Sequence, residues 1–238
     1  QVGCSLDCEF CATSKLKRMR NLNPDEIFDQ ASTINRQSKL YYNRPISNIV
    51  FMGMGEPLLN YKNLILGIEK ITGKDGLGIS PKRITVSTSG ISKLIIKMAD
   101  ENVKFNLAIS LHSALEKTRN KIMPFSKKFP LDELKEAVKY WYKKTRKKVT
   151  YEYIVWKEIN DDMKHIKALV KFCKASPSKV NLIEYNNTEN SFFTAAKDKI
   201  IQEYISELEK NKIPVTIRKS RGKDIDAACG QLANRETN

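Results

Sequence analysis

The stretch RITVSTSGISKLIIKMADENVKFNLAIS, residues 83–110, decides the fold. Arg83–Thr88 is a short β-rich run that closes on Ser89-Gly90. Leu94, Ile95 and Met98 then recur at helical spacing, and Lys104–Ser110 is a second β-rich run. A strand, a helix and a strand in such close succession read as a βαβ unit, with parallel strands and a right-handed crossover.

The same alternation continues on both sides. Further β-rich runs lie at Ile46–Met52, Val149–Val155 and Val180–Tyr185. Helical spacing marks Ile27, Ala31 and Ile34, opened by Asn23 as N-cap with Pro24 at the first position. It recurs at Leu64, Ile68 and Ile71, and at Leu131, Leu134, Val138 and Trp141. Two more helices are marked by Ile166, Leu169, Val170 and Cys173, and by Ile201, Tyr204, Ile205 and Leu208. Ile213–Arg218 reads as one further strand pairing at an edge. A first strand is expected just ahead of Cys4, mostly before Gln1; the chain opens without Met and reads as a fragment lacking an upstream segment. Six β/α units are too few for an eight-stranded barrel. The expected class is therefore α/β, a partial, open (β/α)6 TIM-like barrel, with no repeat, low-complexity stretch or linker to divide it.

Length allows a substantial core, and no apolar run approaches the roughly 20 residues that span a bilayer, so no membrane association is expected. Lys and Arg number 42 against 27 Asp and Glu, a formal net charge of +15. Such a balance favours a polyanionic partner. The charge is clustered: Lys15, Lys17, Arg18 and Arg20; then Lys143, Lys144, Arg146, Lys147 and Lys148; then Arg218, Lys219, Arg221 and Lys223. The first and third runs flank cysteines, which favours a functional reading. For the middle run a solvated face is as good an account as RNA contact.

Polar motifs fall where strands end. Gly53-Met54-Gly55-Glu56-Pro57, Ser87-Thr88-Ser89-Gly90, Ser110-Leu111-His112 and Asn186-Asn187 each follow a β-rich run. In β/α barrels that end carries the active site, so all four should line one mouth together with the cysteine loop. Cys4, Cys8 and Cys11 stand in CxxxCxxC spacing. Iron–sulfur clusters are normally held by four thiolates; three on one tight loop leave an iron open to a small molecule, and hence to chemistry. Structural zinc also takes thiolates but needs a closed set of four, and His112 and His165 offer no paired spacing. A disulfide framework fits least well: five cysteines, an odd number, without a signal peptide suit a reducing cytosol.

Gly53-Met54-Gly55-Glu56-Pro57 lacks the third glycine of a dinucleotide fingerprint, and Pro57 stands where the helix should open. Two glycines admit close backbone approach, and the Glu56 carboxylate can accept from an ammonium group such as that of a sulfonium-bearing methionine derivative. A simple turn is the alternative. Ser87 and Ser110 offer hydroxyls to a carboxylate or ribose, although serine after a strand is ordinary. His112 suits a general base, a ribose contact or a satisfied polar residue. Cys173 lies on a helical apolar stripe and reads as core. Cys229 has small neighbours, with Arg218 and Arg221 upstream to favour its thiolate; an incidental buried cysteine is the alternative.

Taken together, Cys4-Ser5-Leu6-Asp7-Cys8-Glu9-Phe10-Cys11, Gly55-Glu56 and Ala227-Ala228-Cys229-Gly230-Gln231 resemble the radical S-adenosylmethionine (SAM) RNA methyltransferases, most closely the RlmN group. The resemblance implies a radical SAM core over residues 1–238, with a methyl-carrier segment at 213–238 and without the family's small N-terminal RNA-binding domain. It implies a [4Fe–4S] cluster on Cys4, Cys8 and Cys11 whose open iron chelates the amino and carboxylate groups of SAM. SAM contacts would come from Gly55, Glu56, Ser87, Ser110, Leu111, His112 and Asn186, and Cys229 would be the S-methylcysteine intermediate. The implied activity is methylation of adenine C2 in 23S rRNA and tRNA, by a cytoplasmic monomer fed by an electron donor such as a flavodoxin system. The family's base glutamate and resolving cysteine lie upstream of the cluster loop, and Cys173 does not match the latter. The chain from Gln1 onward is thus expected to bind cluster and SAM without completing turnover. Competing readings are a C8-adenine rRNA methyltransferase of the antibiotic-resistance type, a radical SAM enzyme acting on a non-RNA substrate, and a zinc-holding RNA-binding module. The stretch Arg218–Asp226 resembles the C2 group more than the C8 relative.

Overall fold

Residues 83–110 fold as the sequence predicts. In the computed structural model, which describes residues 1–187, 192–220, 222, 225, 228, 230 and 231, they form β2 (Ile84–Thr88), α3 (Ser92–Asp100) and β3 (Asn106–Ser110). The two strands are parallel, in register from Thr85 opposite Asn106 to Thr88 opposite Ile109. Side chains alternate across a strand, so Ile84 and Val86 turn to the helices and are fully buried, while Ser87 turns to the opposite face. α3 answers with Ile95 and Met98, both 0% exposed. Burying each such side chain contributes about 1.5–3 kcal/mol.

This unit repeats into one six-stranded sheet ordered β1-β2-β3-β4-β5-β6, every neighbouring pair parallel. The remaining strands are β1 (Ile49–Phe51), β4 (Val149–Ile154), β5 (Ser178–Ile183) and β6 (Val215–Arg218). The helices are α1 (Pro24–Tyr42), α2 (Tyr61–Thr72), α4 (Glu116–Ile122), α5 (Leu131–Thr145), α6 (Met163–Cys173) and α7 (Asp198–Lys210). The main core lies between sheet and helices, where Leu107, Ile109, Tyr151 and Val180 meet Leu134, Trp141 and Leu169. Cys173 is buried there too. The other face is concave and mixed, with Ser87, Ser110 and Glu152 set among Phe51, Ile154 and Ile183. Its curl brings the sheet's outer strands near each other, since the Arg218 Nη1 at the end of β6 donates to the Met52 sulfur just past β1 at 3.0 Å.

α1 opens as read. Asn23 accepts from the Glu26 amide and its own amide donates to the Glu26 carboxylate, each at 2.9 Å, closing a capping box. The Arg20 guanidinium grips both Glu26 oxygens at 2.8 and 2.7 Å.

Two strands change their bounds most. The run Ile46–Met52 contracts to Ile49–Phe51, and Val180–Tyr185 shifts to Ser178–Ile183. Ahead of Cys4 the described residues hold an antiparallel bridge from Val2 to Arg20; the strand expected mostly before Gln1 lies outside them, and the edge strand read at Ile213–Arg218 is β6, the sixth of the sheet. α4, with the sequence EKTRNKI, was not foreseen because it carries no apolar stripe.

Candidate active site

The cysteine loop lies across the carboxyl ends of the strands. Gly3 starts it at φ +78°, where a Cβ would meet the Lys17 carbonyl oxygen at 2.2 Å, so only glycine fits. The Cys4 amide donates to the Leu16 carbonyl at 3.3 Å and the Glu9 amide to the Ile122 carbonyl at 3.1 Å. The Ser14 hydroxyl donates to the Cys11 carbonyl at 2.7 Å and also contacts the Cys8 carbonyl. Backbone ties of this kind fix the loop while leaving all three cysteines half-buried and outside any disulfide.

Cys4, Cys8 and Cys11 line one cavity with Glu56, Ser87, Ser110 and His112. Desolvation first, then the neighbouring thiols, pushes the Cys8 thiol well above its ordinary range; desolvation raises Cys4 likewise. Metal binding here would release protons, because the ligand is the thiolate. No group of three or more His, Cys, Asp or Glu among the described residues is arranged to hold a metal ion. The cysteines share one cavity wall, and no fourth thiolate or paired histidine joins them among its described lining residues. A structural zinc site needs a closed set of four ligands, whereas a cluster held by three thiolates leaves one iron open to a small molecule. The donor set fits a cluster.

Glu56 is 2% exposed. Its Oε1 accepts from the Leu58 amide at 3.0 Å and its Oε2 from the Ser89 amide at 2.7 Å. Burial raises its carboxyl above the usual range, opposed by those amides. The carboxylate therefore braces two strand-end loops as well as facing the cavity. Gly55, at φ +89°, lets the Gln1 side chain approach, and the Gln1 Oε1 accepts from the Glu56 amide at 2.9 Å.

His112 sits at φ +54°. Its Nδ1 accepts from the Ile154 amide at 3.2 Å, which assigns the proton of the neutral ring to Nε2. The Phe10 ring meets it edge-on at 4.8 Å. Burial, with Arg119 nearby, lowers it to about 3. With Nδ1 committed, the ring keeps an N–H donor and no lone pair for a general base. A donated contact, such as to a ribose oxygen, remains open to it.

Ser87 and Ser110 line the cavity as expected. Leu111 does not: its side chain is in the main core, and its amide donates to the Glu152 carbonyl at 3.0 Å. Asn186 is buried beyond β5, beside the cavity residue Tyr185. Cys229 lies outside the described residues, but its neighbour Gly230 lines the cavity, and the Gly230 carbonyl accepts from the Ala12 amide at 2.8 Å.

Several residues were missed in the sequence. Arg119 of α4 is 0% exposed and donates through Nη2 to the Ser89 and Ser110 carbonyls at 2.5 and 3.4 Å; desolvation lowers it to about 10. Asn160, also 0% exposed, donates to the His112 and Ile154 carbonyls at 2.8 and 2.9 Å and accepts from the Trp156 amide at 2.7 Å. Neither carries a local signal. Glu152 does: it is the charged residue inside the run Val149–Val155, and it lines the cavity.

An open parallel half-barrel with three cysteines at its mouth defines the class, and the Radical SAM superfamily matches residues 1–170. Members of that superfamily use a [4Fe–4S] cluster and SAM. A crystal structure of a radical SAM methyltransferase from Sphaerobacter thermophilus is 35% identical, with a TM-score of 0.94 over 97% of this chain and 67% of that one. SuiB of Streptococcus suis, solved bound to S-adenosylmethionine, shares the fold at 18% identity, with a TM-score of 0.64 over 92% of this chain and 48% of that one. The probable dual-specificity RNA methyltransferase RlmN of Flavobacterium psychrophilum is 66% identical over 236 residues, 99% of this chain and 68% of its own length. The chain belongs to the RlmN family of radical SAM RNA methyltransferases.

Proposed function

We propose that this enzyme methylates C2 of adenine in 23S rRNA and tRNA through a methyl group carried on the Cys229 sulfur. The observation that supports this most is the position of Gly230: the residue next to Cys229 borders the cavity that Cys4, Cys8 and Cys11 line. Cys4, Cys8 and Cys11 would hold the cluster, and Gly55, Glu56, Ser87, Ser110, His112 and Asn186, with the backbone at Leu111, would form the SAM site. Bound there, cluster and SAM supply a 5′-deoxyadenosyl radical for hydrogen abstraction.

C2 of adenine is an electrophilic carbon and does not attack a sulfonium methyl as a nucleophile. A thiolate does, so Cys229 serves as first methyl acceptor and then presents that carbon to the base. Phe10 and Tyr185 line the cavity beside His112 and are backed by Trp156 and Phe193, with Phe10 and Trp156 centroids 4.9 Å apart; that aromatic backing would keep water from radical chemistry.

RNA approach is supported by Lys15, Lys17, Arg18 and Arg20, all exposed and directly after the cysteine loop. The middle basic run is placed differently. It ends α5 just before β4 begins, at the opposite end of the strands, and Lys147 donates to the Val103 and Phe105 carbonyls at 3.3 and 3.0 Å. Lys147 thus serves the scaffold, while Lys143, Lys144, Arg146 and Lys148 are exposed at that far end. The chain would act as a monomer, with a flavodoxin-type donor reducing the cluster.

Replacing Cys229 with Ala should abolish methyl transfer and spare the reductive cleavage of SAM to 5′-deoxyadenosine. Loss of both would make Cys229 structural. Mass spectrometry locating the new methyl at adenine C8 would reject the C2 assignment.

A further inference from the structure

Glu152 lies in the middle of β4, on the concave face. It is in register with Ser110 on β3 and Asn181 on β5, and it is 2% exposed. Its Oε1 accepts from the Asn181 Nδ2 at 3.0 Å. Its Oε2 is fully buried and accepts no hydrogen bond; the Arg218 Nη1 stands 3.9 Å away and donates to Met52 instead. Burial raises the carboxyl, while Arg218, Asn181 and Lys179 act in the opposite direction. A buried carboxylate oxygen without a donor is a costly arrangement, and this one belongs to a residue that lines the cavity.

The missing donor is therefore sought in the cavity's occupant. Glu56 is the other carboxylate in that wall, and both its oxygens already accept backbone amides. Of the donors SAM carries, the ammonium belongs with its carboxylate at the open iron. The adenine amine and the two ribose hydroxyls are the other donors, and a carboxylate level with a serine hydroxyl suits the diol better than a single amine. We propose that Glu152 is a SAM-binding residue whose Oε2 accepts a hydrogen bond from a ribose hydroxyl, with Ser110 beside it at the same level of the sheet. This rests on the reading of the cavity as the SAM site.

The test is equilibrium binding by calorimetry to the cluster-bearing protein, under anaerobic conditions and without RNA. S-adenosylhomocysteine and its 2′-deoxy and 3′-deoxy analogues are the probes, and wild type is compared with Glu152→Gln. The isosteric amide keeps an acceptor for Asn181, and a thermal melt confirms that the variant folds. The expected result is that Glu152→Gln weakens S-adenosylhomocysteine binding about tenfold. One deoxy analogue should lose about the same factor on the wild type and nothing further on the variant. Equal affinities for wild type and variant would overturn the proposal, as would a variant that loses the same factor for every probe. A wild type that binds neither S-adenosylhomocysteine nor SAM would overturn the reading of the cavity itself, and this inference with it.

Discussion

At the residue scale, buried polar side chains do most of the work of shaping the mouth, and each joins backbone segments that are far apart in sequence. Asn160 ties the loop after β4 to the loop after β3 through three hydrogen bonds. Asn160→Ala leaves three buried backbone groups unpaired and should destabilise the protein by roughly 3 kcal/mol in urea denaturation; a change below about 1 kcal/mol would show that the loops hold without it. His112 gives a pH signature. Its folded value of about 3 lies below the ordinary value near 6.5, so the unfolded chain binds the proton more readily. The stability that wild type gains over His112→Gln should be fully present above about pH 6.5 and shrink as pH falls towards 3. A difference that grows on acidification would contradict the buried, neutral ring.

At the element scale, periodicity alone locates helices but does not say which of them are buried. Ile95 on α3 and Ile34 on α1 occupy equivalent stripe positions, yet Ile95 is 0% exposed and Ile34 is 54% exposed. Ile95→Ala should cost about 2–5 kcal/mol, and Ile34→Ala should stay within about 0.5 kcal/mol; equal effects would reject the described packing of α1. The strands and the longer helices were legible because one apolar face must meet the core, and strand-end motifs followed from barrel topology. α4 was not, since its seven residues bury only Arg119 and Ile122. Arg119 and Asn160 were invisible for a related reason: their partners are backbone carbonyls and amides that sequence does not mark. Glu152 left a trace, the single charged residue in its strand, and only the register with Ser110 and Asn181 gives it a role. The middle basic run stayed ambiguous in sequence because charge alone does not tell one end of a barrel from the other.

At the scale of the whole molecule, chemistry collects at one end and support at the other. Cysteine loop, Glu56, Ser87, Ser110 and Gly230 share the cavity, while the Lys147 contacts stiffen the far end. Charge reversal at Lys15, Lys17 and Arg18 should lower RNA affinity and flatten its salt dependence by about 2–3 in slope. Reversal at Lys143, Lys144 and Lys148 should change neither; fluorescence anisotropy against salt concentration distinguishes the two faces, and the opposite ranking would move the RNA surface to the other end. Among the described residues no helix is long and apolar enough to cross a membrane. The measurement that tests the central claim most directly is tandem mass spectrometry of the peptide containing Cys229, after anaerobic incubation of the cluster-bearing protein with SAM labelled in its methyl group. The account predicts the labelled methyl on the Cys229 sulfur, whereas an unlabelled Cys229 in a preparation that still cleaves SAM would contradict it.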